Sequence, residues 1–196
     1  MIFDPAMVHA INSTAVRRPA PPKFSAADAE RAADEWGMNC GPGAIAAIFG
    51  LTLDQVRPFM GDFERKRYTN PTLMFDTLHR LYKAGICRGW RKEVKAWPTY
   101  GLVRIQWEGP WTNPGVPLRA RYRHTHWVAA ASFDGDVGVF DINCMSNGSG
   151  WTSLYHWRTG LVPWLLEQCV PRASGGWHIT HAIEVDLTFP DAEQLT

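Results

Sequence analysis

The chain has 196 residues, of which 45% are hydrophobic, and its formal net charge is +1 at pH 7. This length and this apolar content suffice for one domain with a substantial core. Charges of both signs are interspersed along the sequence. Because no basic surface of the kind that attracts nucleic-acid backbones or anionic membranes is indicated, we expect neither partner.

The amino-terminal segment lacks the basic start and the apolar run of a secretory signal, so we predict a cytoplasmic protein, or a virion-associated one if it is encoded by a phage. No apolar stretch approaches the roughly 20 residues needed to cross a bilayer. The four cysteines show no Cys-x-x-Cys spacing, and without export they are expected to be reduced. One of them is then free to act as a nucleophile.

Residues 1–24 include the Pro-rich stretch RRPAPPKF and show no sustained periodicity. They are predicted to form an extended arm, which is a candidate contact for a partner protein. The remaining chain, 25–196, is predicted to be a single domain. Its first helix is expected to begin after Ser25, with Asp28 three positions on, and to stop at Gly37.

A second helix is predicted in NCGPGAIAAIFG, where Asn39 takes the N-cap position, Cys40 falls in the first turn and Gly50 is the C-terminal stop. Two further helices are indicated by their start signals. One has Thr52 and Gln55 in capping-box spacing, and the other runs through NPTLMFDTLHRLYKAG, with proline in its first turn.

After Gly85 the pattern changes to short apolar or alternating stretches, which predict strands in GLVRIQWEG, HWVAAASFDGDVGVFDIN and HAIEVDLTF. One more helical stretch is predicted around TGLVPWLLEQCV. The turn signal in 133–136 makes the strand that begins near His126 antiparallel to the strand that ends near Asp141. The sequence therefore predicts an α+β fold, with a helical half packed on an antiparallel sheet.

A thiol attacks a carbonyl as its thiolate, which a helix N-terminus favours through its partial positive charge and its free N–H groups. Cys40 occupies such a position, and the same N–H groups can donate to an oxyanion. A cysteine nucleophile also needs an imidazole base and a third group that orients the imidazole. Because the predicted hairpin places them at one sheet edge, His126 and Asp141 are the candidates for these roles, with Asn143 in reserve for the third.

The segment NCGPGAIAAIFG, from Asn39, resembles the Cys-Gly-Pro-small-residue helix start of the C39-like peptidases, which belong to the papain-like cysteine protease superfamily. HWVAAASFDGDVGVFD, from His126, is similar to that family's His-aromatic-Val strand, turn and strand ending in Asp. The resemblance covers Glu35 to Trp157. It implies a papain-like fold, a cysteine peptidase that cleaves a peptide or isopeptide amide, a peptide or protein substrate and no cofactor.

One position departs from that family, which usually carries a glutamine upstream of the nucleophile, where its side chain helps to form the oxyanion hole. This sequence has Asp34 there and Glu35 beside it, and neither side chain donates a hydrogen bond when ionised. The Asn39 amide, the Trp36 indole N–H and Gln106 are candidate substitutes. Loss of one oxyanion donor costs on the order of 3 kcal/mol in related chemistry.

Two other functions stay open. The first is a catalytically degenerate papain-like module that serves as a structural or binding component of a larger assembly, an alternative that the missing glutamine favours. The second is a related thiol enzyme, such as a transferase or an amidase, with the same triad and a different acceptor.

Other histidines allow competing assignments. His181 also opens a predicted strand and is the rival base, although no acidic or amide residue follows it in a clear hairpin partner. The His-x-His pair of His124 and His126, together with His178 and His181, is compatible with a zinc site. Nothing in the sequence fixes their relative positions, so no metal is predicted. The remaining thiols are expected to be packing or surface residues: Cys87, Cys144 and Cys169.

Overall fold

The computed structural model describes residues 21–93, 96–133 and 135–187, so the predictions for 1–20 and 188–196 lie outside the described residues. Helices come first along the described chain, as predicted. Their bounds are α1 Ala26–Trp36, α2 Cys40–Phe49, α3 Leu53–Val56, α4 Phe63–Lys66 and α5 Pro71–Lys83, with a 3₁₀ turn at Arg57–Phe59.

Local sequence signals account for the ends of these helices. Ser25 is the N-cap of α1 and Thr52 forms a capping box with Gln55, and both predictions are confirmed. Ser25 also forms a capping box, with Asp28. The Asn70 side chain accepts a hydrogen bond from the backbone N–H of Leu73 at the start of α5. Gly50 ends α2 in the left-handed conformation, with φ of 60° and ψ of 39°.

The strands of the described chain form one antiparallel sheet in the order β1-β6-β2-β3-β4-β5. Their bounds are β1 Cys87–Glu93, β2 Tyr100–Trp107, β3 Thr125–Phe133, β4 Asp136–Phe140, β5 Trp151–Ser153 and β6 Trp177–Leu187. The predicted hairpin is confirmed, because Phe133 and Asp136 face each other across β3 and β4. The observed class is therefore α+β.

Short helical segments connect the strands and cover part of the sheet. They are α6 Leu118–Arg121, α7 Leu154–His156 and α8 Val162–Cys169, with 3₁₀ turns at Pro110–Thr112 and Ile142–Asn147 and a π-helical turn at Trp157–Leu161. The predicted helical stretch in the second half is thus confirmed and begins earlier than expected. None of the helices in the described ranges is long and apolar enough to span a membrane.

Both faces of the sheet are covered, and alternate residues of each strand supply the two cores. In β3, Trp127 and Ala129 belong to the core on the α1–α5 side, whereas Val128 and Ala130 belong to the core under the helical segment 154–169. The molecule therefore has three layers, with helices on either side of the sheet.

The helix α2 is the most deeply buried of these elements. Its residues 44–48 are at most 3% exposed, as expected of a helix that is apolar on every side. It packs along β3, and its small side chains allow a close approach. This packing brings the first residue of α2, Cys40, to the start of β3.

Some of the structure was not indicated by the sequence patterns. Strand β1 has the polar sequence CRGWRKE, which suits an edge strand with a pairing partner on one side only. Strand β5 has only three residues. The last strand begins at Trp177, before the predicted start at His181, because the pairing of β2 with β6 extends to that end of the sheet.

The end of the predicted arm packs on the domain. Phe24 is 5% exposed, and its ring lies edge-on to Phe140 with 6.0 Å between centroids. Burying an aromatic side chain of this size stabilises the fold by roughly 2 kcal/mol. This part of the arm is therefore held by the core.

Gly101→Ala tests the close approach of β2 to β6. A Cβ at Gly101 would lie 1.9 Å from the Ile183 carbonyl oxygen. Because that oxygen belongs to the main chain of a paired strand, we expect the substitution to lower the free energy of unfolding by about 3 kcal/mol in urea denaturation. Gly89→Ala in β1 is the control, since a Cβ there meets no atom within 4 Å. Equal losses in the two variants would contradict this packing.

Candidate active site

Cys40 lies partly buried at the N-terminus of α2. An α-helix supplies no main-chain acceptor for the N–H groups of its first turn. Pro42 has no N–H group, and the Gly43 N–H donates to the Asn39 carbonyl at 2.8 Å. The N–H groups of Cys40 and Gly41 have no acceptor within α2, so they can donate to a negative charge that develops near the sulfur.

His126, the second residue of β3, contacts both Cys40 and Asp141. Its Nε2 lies 2.8 Å from Asp141 Oδ2, and the ring is close enough to the Cys40 thiol to lower the pKa of that thiol. Because Nε2 is engaged by the carboxylate, Nδ1 is the ring nitrogen left for the sulfur. Trp107 stacks on the imidazole with 6.0 Å between ring centroids and an interplanar angle of 22°. The ring is thus held in one orientation.

Asp141 follows β4 directly and is fully buried. Its Oδ2 accepts hydrogen bonds from His126 and from the Trp157 indole N–H, which lies at 2.9 Å. Its Oδ1 accepts from the Asn143 backbone N–H at 3.0 Å and from the Asn143 side-chain amide at 2.8 Å. An unpaired carboxylate would be strongly unfavourable at this depth, and these four donors compensate for its burial.

The three ionisable groups shift one another's pKa values. Burial raises the pKa of the Cys40 thiol, but the hydrogen bond and the charge of His126 bring it below its ordinary value. Burial lowers the pKa of His126, yet the charge and hydrogen bond of Asp141 raise it well above its ordinary value. Burial raises the pKa of Asp141, and His126 and Trp157 bring it below its ordinary value. The arrangement favours a thiolate–imidazolium pair beside an ionised carboxylate.

Two cavities meet at Cys40. The first cavity has a volume of about 700 Å³ and includes Arg104 and His181 in its lining. The second cavity has a volume of about 380 Å³ and includes Asn39 and Asn143. Because the linings share residues, the two cavities are adjacent at Cys40. The shared residues besides Cys40 are Met38, Arg123 and Thr125.

The three predicted oxyanion donors lie in different places. Asn39 lines the second cavity, where its Nδ2 donates to a main-chain carbonyl of α1 at 2.8 Å. Trp36 is 2% exposed, lines neither cavity and has an indole N–H without a partner in the described chain. Gln106 lines a separate cavity and donates to two main-chain carbonyls. Of these three residues, Asn39 is the one that lines a cavity together with Cys40.

Asp34 and Glu35, which stand where the C39-like peptidases carry glutamine, lie on the exposed side of α1. Glu35 forms ion pairs with Arg31 at 3.2 Å and with Arg57 at 3.0 Å. Neither acidic residue lines the cavities beside Cys40. Their carboxylates belong to the protein surface.

His181, the rival base, lines the first cavity on the strand next to Arg104. Burial and the charges of Arg104 and Lys92 lower the pKa of His181. The imidazole that lowers the pKa of the Cys40 thiol is that of His126. The structure therefore places His126 beside the thiol, whereas His181 lines the first cavity and is less buried than His126.

The remaining histidines do not converge. His124 lines the second cavity, whereas His178 lies on the surface with its Nδ1 2.9 Å from Glu108 Oε1. Within the described ranges, no group of three or more His, Cys, Asp or Glu side chains could hold a metal ion.

The other thiols have different surroundings. Cys144 is buried, and burial together with the charge of Asp141 raises its pKa well above the ordinary value. Cys87 is also buried, and burial raises its pKa. Cys169 is exposed and is one of the residues that line the second cavity. It provides a natural reference for the reactivity of Cys40.

Two residues of the site were not identified from the sequence. Trp157 reaches Asp141 from the helical segment on the other face of the sheet, and no local pattern indicates that contact. Arg104 lines the first cavity from the middle of β2. A single charge inside the apolar stretch GLVRIQW was the available signal.

Comparisons of the chain with protein-family models, with curated proteins and with solved structures gave no match. Similarity therefore does not establish a family for this protein. Its function has to be inferred from the geometry of the site and from the motifs of the sequence.

Trp157→Phe tests the indole hydrogen bond to Asp141. The variant keeps an aromatic ring but leaves a buried carboxylate oxygen with one donor fewer. Trp151→Phe is the matched control, because the buried Trp151 indole N–H has no partner in the described chain. We expect Trp157→Phe to lower the free energy of unfolding by about 1–3 kcal/mol more than the control does. Equal losses in denaturant titrations would show that this hydrogen bond contributes nothing to stability.

Asp141→Asn tests the coupling between the carboxylate and the thiol. Without the negative charge the pKa of His126 falls, so the imidazolium that stabilises the thiolate is lost at a lower pH. We expect the rate of Cys40 alkylation at pH 6 to fall by at least about tenfold, because one pKa unit changes the thiolate fraction by that factor. Asp136→Asn, an exposed substitution at the other end of β4, should leave the pH profile unchanged. A wild-type profile for Asp141→Asn would refute the coupling.

Proposed function

We propose that this chain is a papain-like cysteine peptidase of the C39-like type, which cleaves a peptide or isopeptide amide through Cys40, His126 and Asp141. The observation that carries the proposal is the 2.8 Å hydrogen bond between His126 Nε2 and the buried Asp141 carboxylate, with the same imidazole beside the Cys40 thiol at the N-terminus of α2. The Cys-Gly-Pro helix start, the order of the three residues along the chain and the α+β architecture support it.

In the proposed first step, the Cys40 thiolate attacks the carbonyl carbon of the substrate amide. A carbon–sulfur bond forms, and the carbonyl electron pair moves onto oxygen. The N–H groups of Cys40 and Gly41 donate to this oxyanion from the helix N-terminus. These main-chain donors do not depend on the glutamine that the C39-like peptidases usually carry, and Asn39 lines the second cavity together with Cys40.

The proton of the His126 imidazolium then moves to the amide nitrogen, the carbon–nitrogen bond breaks and the amine leaves. A thioester joins the acyl group to Cys40. Neutral His126 next takes a proton from water, the resulting hydroxide attacks the thioester, and the carbon–sulfur bond breaks. The carboxylic acid is released, and the thiolate–imidazolium pair is restored. Throughout the cycle Asp141 keeps the imidazole in one orientation.

A catalytically degenerate module is the second candidate. The specific observation that favours it is the surface position of Asp34 and Glu35, which leaves the site without the usual side-chain donor. A transferase or amidase with the same acyl-enzyme is a third. These candidates differ in the reactivity of Cys40 and in the products formed.

The proposal predicts that Cys40 is an activated thiol. Alkylation by iodoacetamide, followed residue by residue with mass spectrometry, should proceed at Cys40 well below the free-thiol pKa of about 8.5 and should be lost at low pH in His126→Ala. Cys169 in the same molecules is the reference, and its labelling should not depend on His126. An unchanged profile for Cys40 in His126→Ala would overturn the enzyme and favour the degenerate module.

Activation of the Cys40 thiol does not distinguish transfer of the acyl group to water from transfer to an amine. Incubation with a peptide mixture in H₂¹⁸O distinguishes the outcomes, because hydrolysis adds one labelled oxygen to the new carboxyl terminus, whereas transfer to an amine adds none. Cys40→Ala should form neither product. Products of transfer alone would replace the peptidase with a transferase.

A further inference from the structure

The first cavity contains a buried cation for which the described chain supplies no carboxylate. Arg104 is 6% exposed and lies in the cavity lining together with Cys40. Its Nη1 donates to the Thr180 hydroxyl at 3.3 Å, its Nη2 donates to the Thr125 hydroxyl at 3.1 Å, and its Nε is buried without a partner. The threonines orient the guanidinium but do not neutralise it.

A buried charge without a counter-charge is unfavourable, so its retention calls for an explanation. Burial lowers the pKa of Arg104, while Tyr122 and Cys40 act in the opposite direction. The Cys40 thiolate is thus a nearby negative group in the free protein. That charge disappears when the sulfur becomes a thioester in the proposed mechanism, and Arg104 then needs another anion.

The lining of this cavity has the chemistry of an anion site with an apolar rim. No Asp or Glu lines it, and its basic residues besides Arg104 are Arg123 and His181. Of the six large apolar side chains that are exposed in the described chain, half line this cavity. They are Met38 at 57%, Tyr68 at 51% and Tyr122 at 50% exposure. A carboxylate carried on a peptide matches both parts of this surface.

We propose that the first cavity is a substrate subsite in which Arg104 binds a carboxylate of the peptide, so that the amide to be cleaved lies over Cys40. This assignment rests on the peptidase proposed above and specifies its substrate class: peptides with an acidic side chain or a free C-terminal carboxylate next to the cleaved bond. The planar guanidinium fork suits a carboxylate, and Nη1 and Nη2 of Arg104 each carry a second N–H besides the one that contacts a threonine hydroxyl.

The first experiment compares two alkylating reagents that differ in one group. Iodoacetate carries a carboxylate where iodoacetamide carries an amide. For each protein, the ratio of the iodoacetate rate to the iodoacetamide rate at Cys40 is divided by the same ratio at Cys169. We expect this Cys40-to-Cys169 ratio to be about ten or more in the wild type, because one charge-assisted hydrogen bond to the iodoacetate carboxylate has an effect of that size. In Arg104→Gln the value should fall to about one.

Matched variants separate the buried arginine from general electrostatics. Arg88→Gln in β1 is exposed and removes the same charge, so it should keep the wild-type ratio. Arg104→Lys keeps the charge but loses the planar fork, and should give an intermediate ratio. Arg104→Gln should fold, because it removes a buried charge and retains an amide that can contact the threonine hydroxyls. Circular dichroism of each variant checks this point, and Arg104→Lys keeps the test valid if Arg104→Gln is unfolded.

The second experiment identifies the source of the carboxylate. N-acetyl-alanine presents a C-terminal carboxylate alone, N-acetyl-glutamate α-amide presents a side-chain carboxylate alone, and N-acetyl-glutamine α-amide presents none. At least one of the first two should protect Cys40 from iodoacetamide in the wild type and not in Arg104→Gln, and the third should not protect. Protection by inorganic phosphate and by neither carboxylate would overturn the carboxylate assignment.

The outcomes separate this inference from the peptidase itself. If Cys40 reacts rapidly but its reagent ratio equals that of Cys169, or stays high in Arg104→Gln, the carboxylate subsite is wrong and the peptidase stands. If Arg104→Gln slows both reagents equally, Arg104 activates the thiolate and does not recognise substrate. If Cys40 is no more reactive than an ordinary thiol, the peptidase fails, while the protection experiment still reports whether the cavity binds a carboxylate.

Discussion

The buried carboxylate of Asp141 is the group on which the arrangement of the site depends. Its donors come from different parts of the chain: His126 from the neighbouring strand, Trp157 from the helical segment on one face of the sheet, and Asn143 from the turn that follows. Because each donor must be in place for the charge to be compensated, the carboxylate ties the geometry of the imidazole to the packing of the second core. Cys40 then completes the site from the helix on the opposite face.

The tryptophans around this carboxylate explain how a charged pair is kept from water. Trp107 stacks on the imidazole of His126 and lies parallel to Trp157 at 6.1 Å. Trp177 contacts Trp157 edge-on at 5.3 Å between ring centroids, so a cluster of aromatic rings lies beside the carboxylate. Electrostatic interactions are stronger in such surroundings than in water, which is why Cys40, His126 and Asp141 shift one another's pKa values. The same surroundings make the loss of any single donor costly.

The sequence predicted the parts of the site that depend on local signals, and missed those that depend on packing. Helix caps placed Cys40 at a helix start, and a two-residue turn set the register that brings His126 near Asp141. Both are short-range effects. Trp157 contacts Asp141 only because the helical segment folds back across the sheet, and Arg104 meets the cavity only through the pairing of β2 with β3 and β6. No periodicity encodes contacts of that kind, and for the same reason the edge strands β1 and β5 were missed.

The charges of the site also suggest why a lone arginine is retained beside it. The free form of the proposed site holds two negative charges, on Cys40 and Asp141, against one positive charge on His126, and Arg104 balances the excess. Formation of the thioester removes the charge of the sulfur, and transfer of the proton to the leaving amine removes that of His126, so the net charge of the site is unchanged but Arg104 loses a nearby negative group. A substrate carboxylate gives Arg104 a new negative neighbour at that step, whereas a neutral substrate does not. Preference for an acidic peptide would then follow from the loss of the thiolate beside Arg104 as well as from the residues that line the cavity.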